Sequence, residues 1–243
     1  WSDEELMKEK MLLRERLTEA SPTGKVTMVE WNKAWQKFTR SMDVYSTLSQ
    51  IDATGNRAFY HAIEVTDAGA LSSLGASLSN PITGIVHGAG LEDSKLVADK
   101  AWETFDNVVR VKIDGWSALM KAVEASQGEL RFASAFTSVA GRFGNGGQTD
   151  YAAANSILDA EMARLTAKGT CRAVAIGWTG WRDVGMATRG SIEAVFEAAG
   201  IETLPVDVGV QIFVDEALRG GKRRVIACGS LGLMDRFNSF REA

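Results

Sequence analysis

The chain has 243 residues, of which 45% are hydrophobic and 24% are charged, and its net charge is −4. That length fits one sizeable α/β domain, or such a domain with a helical insertion. The charge balance predicts no nucleic-acid partner, and no apolar run approaches the roughly 20 residues that span a bilayer, so we expect no membrane partner. With only two histidines we also expect no metal site. Cys171 and Cys228 lie in apolar runs, which is typical of free thiols in a reducing cytoplasm.

Residues 1–56 differ from the rest of the chain. An acidic start after Ser2 and apolar residues at helical spacing predict a first helix, which ends at the Ser-Pro-Thr-Gly break of residues 21–24. A second helix is predicted over residues 28–51. No chemistry is apparent here, so we interpret residues 1–56 as a helical insertion or linker. The acidic start, without a signal-peptide pattern or an initiating Met, predicts a piece of a longer polypeptide.

From residue 59 onwards, predicted strands alternate with predicted helices. The strand segments are residues 59–65, 82–87, 130–137, 171–178 and 224–228. The helix segments are residues 68–78, 101–125, 150–167 and 208–218, with a loop and a short helix within 179–200. This alternation is typical of a doubly wound parallel sheet, and we assign it to a catalytic domain over residues 57–243.

The stretch of residues 138–155 points to chemistry. Ser138 ends a predicted strand, and Tyr151 and Asn155 fall four residues apart on the next helix, where they share one face. Ligands of open parallel sheets bind at the carboxyl ends of the strands. A hydroxyl, a phenol and an amide at this edge suit polarising a carbonyl group and giving it a proton.

Five segments together resemble the ketoreductase domains of polyketide and polyunsaturated fatty acid synthases, a branch of the short-chain dehydrogenase/reductases. They are Val65-Thr66-Asp67, Gly84 to Gly90, Lys112-Ile113-Asp114-Gly115, Ser138 to Asn155, and Gly185-Met186-Ala187-Thr188-Arg189-Gly190. Any one segment alone is weak evidence for the family, but all five occur in the family's order and at appropriate spacing, which is strong evidence. The sequences Ala-Gly-Arg-Phe-Gly-Asn and Met-Ala-Thr-Arg-Gly most resemble those of the ketoreductases of polyunsaturated fatty acid synthases.

The resemblance implies a role for each polar residue. Tyr151 would donate the proton, and Ser138 would hold the substrate carbonyl, with Thr137 as the less favoured alternate. Simpler relatives carry a lysine where this chain has Asn155. In synthase ketoreductases the lysine comes instead from the preceding long helix, which points to Lys112 as the cation and to Asn155 as its anchor or part of a water relay.

The resemblance also implies an NADPH cofactor. Val65, Gly88, Ala89 and Gly90 match nucleotide-contacting positions, whereas Glu64 departs from the family's usual aspartate. The G-x-G-x-x-G turn that binds pyrophosphate is not found before residue 59. We therefore expect a Rossmann-like doubly wound parallel sheet that is incomplete at its N-terminal end, with two strands missing between segments 59–65 and 82–87.

The function implied is NADPH-dependent reduction of a β-ketoacyl thioester on an acyl carrier protein, with neighbouring synthase domains as partners. Two alternatives remain: a non-catalytic structural ketoreductase subdomain, and a free-standing short-chain dehydrogenase. The Leu91-Glu92-Asp93 segment resembles a Leu-Asp-Asp mark of ketoreductases that give the D-hydroxyl product. Whether His87 is functional or only packs, and whether Trp178 and Trp181 line an acyl channel or pack, stays open.

Overall fold

The computed structural model describes residues 2–188, 196–198, 200–221 and 224–232. The chain divides into two compact units, Trp1–Ala62 and Ile63–Ala243. Arg189 and Gly190, the end of the last family segment, lie outside the described residues. The assignment of residues 1–56 to an insertion and of 57–243 to a catalytic domain stays a proposal.

The first unit contains two helices, α1 (Asp3–Ala20) and α2 (Met28–Ala53), as predicted. Each begins with a capping box, in which the side chain of Ser2 or Thr27 accepts the amide hydrogen three residues on. Along α2, all of which is described, no residue is buried, and the stacked rings of Trp31, Trp35 and Phe38 are half-buried.

The second unit contains a parallel four-stranded sheet. Its strands are β1 (Gly84–His87), β2 (Phe132–Ser138), β3 (Arg172–Trp178) and β4 (Arg224–Ala227). Their order in the sheet follows the chain, and every neighbouring pair is parallel, which confirms the predicted class of fold. The register places Ser138 beside Trp178 at the carboxyl edge.

Helices connect the strands. They are α3 (Ala68–Ser77), α4 (Trp102–Ala125), α5 (Ala140–Phe143), α6 (Thr149–Lys168) and α7 (Val206–Leu218), with 3₁₀ turns at Val97–Asp99 and Gly185–Thr188. The bounds of α3, α4, α6 and α7 agree with the four predicted helices to within two residues, whereas the short helix α5 was not predicted. In the part of the chain that is described, no helix is long and apolar enough to cross a bilayer.

The core lies on both faces of the sheet. Because side chains alternate along a strand, Ala173 and Ala175 face α4 and α6, whereas Val174 and Ile176 face the opposite side. The alanines allow a close approach of the two large helices, whose Trp116, Leu158 and Met162 fill that side. The other side packs against Ile212 and Phe213 of α7.

The predicted strand over residues 59–65 is wrong. These residues form no strand, and the side chains of Phe59 and Tyr60 are 75% and 61% exposed. A strand needs a partner for its backbone groups, and within the described residues β1 pairs with β2 alone. An apolar pattern can indicate a strand, but the strand forms only where a neighbouring strand pairs with its backbone.

Candidate active site

Four parts of the fold meet at the carboxyl edge of the sheet. Ser138 is the last residue of β2, and Gly88 to Gly90 follow β1 directly. Tyr151 and Asn155 lie in the first two turns of α6, which follows β2 and the short helix α5 in the chain. Lys112 lies in the middle of α4.

The Tyr151 phenol lies beside two of the other predicted groups, the side chains of Ser138 and Asn155. Burial raises its pKa above the ordinary value of 10.0, while hydrogen bonding with the side chains of Ser138 and Asn155 acts to lower it. The nearby carboxylate of Glu92 raises it further. The phenol therefore holds its proton at neutral pH, as a proton donor must.

Ser138, rather than Thr137, faces the phenol. The Ser138 hydroxyl is half-buried and accepts a hydrogen bond from the backbone of Ala140 at 3.1 Å. Thr137 is only 4% exposed, and its side chain acts to lower the pKa of Asp159 instead. The two residues differ because neighbouring strand residues point to opposite faces. The structure thus brings together the predicted Ser138, Tyr151 and Asn155.

Asn155 is completely buried. Its Nδ2 donates to the carbonyl oxygen of Tyr151 at 2.7 Å, one helical turn earlier. Its Oδ1 has no hydrogen-bond partner within the described residues. An unsatisfied buried acceptor costs about 1–3 kcal/mol, so this oxygen is suited to receive a donor such as a lysine ammonium or a water molecule.

Lys112 is also buried, at 3% exposed. Its Nζ donates to the carbonyl oxygen of Phe136 at 2.6 Å, two residues before Ser138. Burial lowers the pKa of Lys112 to about 8, against the raising effect of Asp159. Lys112 is not among the groups that shift the pKa of Tyr151, and the net shift of that pKa is upward.

Of the predicted nucleotide-contacting residues, Gly90 lies closest to Lys112. A Cβ atom on Gly90 would stand 3.1 Å from Lys112 Cε and 3.3 Å from Nζ, so the turn after β1 comes close to the ammonium group. Ala89 is half-buried, and the space beside Gly88 is open. Val65 packs against α4, one turn beyond Lys112.

The small residues after β1 fit a nicotinamide cofactor, since they leave backbone accessible beside a buried cation. No G-x-G-x-x-G turn for the pyrophosphate occurs in the sequence.

His87 is held as a neutral packing group. It is 1% exposed, and its Nε2 donates to the carbonyl oxygen of Lys112 at 3.0 Å. Burial and the Lys112 charge lower the pKa of His87 to about 4. Trp178 and Trp181 also pack, with ring centroids 4.9 Å apart in an edge-to-face arrangement that joins the core beneath α7.

Sequence reasoning missed two buried carboxylates on α6. Asp159, one turn after Asn155, is 2% exposed and pairs with Arg224 at 3.1 Å. Asp150, directly before Tyr151, is 1% exposed and pairs with Lys100. The available signal was the i, i+4 spacing of Asp159 from Asn155, which places it on the face of the catalytic residues.

Comparison with known proteins begins with the family of KR domains. The model of that family matches residues 34–183, more than half of the chain. Mellein synthase of Phaeosphaeria nodorum is 31% identical over 65% of this chain, and a polyunsaturated fatty acid synthase polypeptide of Thraustochytrium is 31% identical over 69%. The chain spans only 9% and 6% of these two proteins.

Solved ketoreductase structures share the fold. The ketoreductase of the first module of phoslactomycin biosynthesis in Streptomyces superposes with a TM-score of 0.71 and 26% identity, over 82% of this chain and 47% of that one. A ketoreductase domain of the bacillaene assembly line gives 0.67 and 27%, over 80% and 48%. The parallel sheet with its flanking helices is therefore Rossmann-like, and this chain belongs to the KR domain family.

Proposed function

We propose that this chain reduces the β-keto group of a β-ketoacyl thioester to a hydroxyl group with NADPH, the substrate being carried on an acyl carrier protein within a polyketide or polyunsaturated fatty acid synthase. The observation that carries the proposal is the half-buried Tyr151 phenol at the carboxyl edge of the sheet, which has a raised pKa and is hydrogen-bonded to the side chains of Ser138 and Asn155. Membership of the KR domain family supports the reaction class.

In the proposed reaction, each residue of the candidate site has a separate role in proton transfer. NADPH supplies the hydride. The Ser138 hydroxyl donates a hydrogen bond to the substrate carbonyl oxygen and holds it against Tyr151. As negative charge develops on that oxygen, the Tyr151 phenol donates its proton, which is general acid catalysis. Lys112 and the free Oδ1 of Asn155 then provide a route for a proton to return to the phenol.

The cofactor would be held by residues on two sides. Val65, Gly88, Ala89 and Gly90 would contact the nucleotide, and Gly90 lies beside Lys112. A glycine-rich turn beyond residues 1–243 would bind the pyrophosphate. The size of the relatives supports neighbouring synthase domains as partners, since the chain spans less than a tenth of each of the two relatives named above.

The two alternatives are less well supported. A structural subdomain has no need of Ser138, Tyr151, Asn155 and a buried lysine at one edge. A free-standing dehydrogenase would place its lysine four residues after the tyrosine, where this chain has Asn155.

The test uses the full-length polypeptide that carries this chain. We would follow NADPH consumption and identify the acyl product by mass spectrometry, with a β-ketoacyl group on an acyl carrier protein, with the same group on a small thiol, and with NADH in parallel. Reduction that prefers NADPH and the carrier-bound thioester is expected. Cofactor binding without reduction of any thioester would favour the structural alternative, and faster turnover of small free ketones would favour the free-standing dehydrogenase.

A further inference from the structure

The loop after β1 is tied to the start of α6. Nε2 of Gln148 donates to Glu92 Oε1 and to Ser94 Oγ, both at 3.1 Å. The loop that carries Leu91-Glu92-Asp93 therefore lies against the helix that carries Tyr151, and it lines a groove with the first turns of α4.

A buried ion pair forms the centre of this connection. Lys100 and Asp150, fifty positions apart in sequence, have side chains 2% and 1% exposed, and Lys100 Nζ lies 2.5 Å from Asp150 Oδ1. Lys100 Nζ also donates to the carbonyl oxygen of Asp93 at 2.8 Å. One ammonium group thus joins the loop to the helix.

The same carboxylate oxygen contacts the backbone of the proton donor. Asp150 Oδ1 accepts the amide hydrogen of Tyr151 at 2.9 Å. The first amides of a helix have no partner within the helix, so the Asp150 carboxylate supplies an acceptor for the Tyr151 amide. A continuous path of three hydrogen bonds then runs from Asp93 through Lys100 and Asp150 to Tyr151.

The pair differs from the other ion pairs of the described residues, each of which has at least one side chain a third or more exposed. Burying two charges gives little net stability, because desolvation offsets their attraction. The pair adds little stability but connects the loop of residues 91–93 to the Tyr151 amide. Its role is therefore better explained by the distance that it maintains between that loop and Tyr151.

We propose that Lys100 and Asp150 are positioning residues, which hold the loop of residues 91–93 at a fixed distance from Tyr151 and so determine the direction from which the substrate enters. The proposal rests on the proposed function. Neither side chain contacts the reacting atoms; both act through Tyr151 and the loop.

The test compares Lys100→Met with the double variant Lys100→Met/Asp150→Asn in the full-length polypeptide. Lys100→Met leaves a buried carboxylate without its partner and lowers the melting temperature. The double variant removes that charge, while the new amide oxygen still accepts from Tyr151, so the melting temperature recovers. The link to Asp93 stays broken, and we expect kcat/KM to fall about 10-fold, mainly through KM, with a larger share of the minor hydroxyl enantiomer.

Lys95→Met is the matched control. Lys95 lies in the same loop, and its ion pair with Asp93 is exposed on both sides. Its KM, kcat and enantiomer ratio should match those of the wild type. A double variant that recovers both its melting temperature and all three kinetic measures would overturn the positioning role and leave a purely structural pair.

Hydrogen exchange separates this proposal from the proposed function. Amides of residues 91–95 should exchange faster in the double variant than in the wild type, whether or not a substrate is turned over, and unchanged exchange would overturn the proposal. An inactive wild type with faster loop exchange in the variant would instead contradict the proposed function and retain the connection between loop and helix.

Discussion

Two regions of the sheet, the carboxyl end of β2 and the outer edge of β1, differ in how far their residues are buried and paired. At the carboxyl end of β2, Asn155 and Lys112 are buried, Asn155 donates to the carbonyl oxygen of Tyr151, and Lys112 donates to the carbonyl oxygen of Phe136. At β1, Val86 is 52% exposed and the strand pairs on one side only within the described residues. The residues that we propose for proton transfer are thus packed in place, whereas β1, beside which we propose the nucleotide, has an unpaired edge within the described residues.

This difference indicates that the proposed proton transfer and the proposed cofactor binding depend on different parts of the protein. The proton-donating cluster depends on contacts among α4, β2 and α6, all of which this chain contains. The pyrophosphate site depends on a glycine-rich turn that its sequence does not contain. The predictions below test that separation.

The largest expected effect is on cofactor binding. Residues 1–243 alone should show no NADPH binding in the micromolar range by calorimetry, because the backbone amides of a glycine-rich turn are absent. The full-length polypeptide is the control and should bind. Micromolar binding by residues 1–243 alone would show that the nucleotide side is complete without that turn.

Lys112→Met should lower kcat by about 100-fold in the full-length polypeptide and change its pH dependence. The ammonium is charged below its pKa of about 8, so wild-type activity should fall as the pH rises through that value. The variant should lose this fall, since the Tyr151 phenol stays protonated to higher pH.

Lys121→Met is the control for Lys112, because Lys121 lies on the same helix with an exposed side chain. It should keep the wild-type profile. An alkaline fall that persists unchanged in Lys112→Met would assign it to another group and remove Lys112 from the proton route.

A smaller effect is expected at His87. Its folded pKa of about 4 lies below the ordinary 6.5, so the unfolded chain binds more protons between these values and stability falls as the pH drops through that window. From pH 7 to pH 5 this one group should cost about 2 kcal/mol of the free energy of unfolding. His87→Asn should remove that part of the acid sensitivity.

Chemical unfolding of the full-length polypeptide at the two pH values measures the effect, with His61→Asn as a control because His61 is exposed. Equal acid sensitivity in the His87 variant and the wild type would mean that His87 is not held neutral by burial.

Much of the fold was predictable because its signals are local. Apolar periodicity predicted the helices and the four strands, and the spacing of Ser138, Tyr151 and Asn155 predicted that they converge. The strand at residues 59–65 failed because a strand depends on its neighbours rather than on its own pattern. The Lys100–Asp150 pair and the bond from Lys112 to Phe136 join segments far apart in sequence, so only the folded chain shows them.

The most direct test of the central claim is the rate of thioester reduction by Tyr151→Phe in the full-length polypeptide, beside Tyr45→Phe on the exposed face of α2. The phenylalanine keeps the packing of Tyr151 but cannot donate a proton. We predict that kcat falls at least about 100-fold in Tyr151→Phe, with NADPH affinity and melting temperature unchanged, and that Tyr45→Phe behaves as the wild type. A folded Tyr151→Phe variant that retains most of its activity would contradict the account.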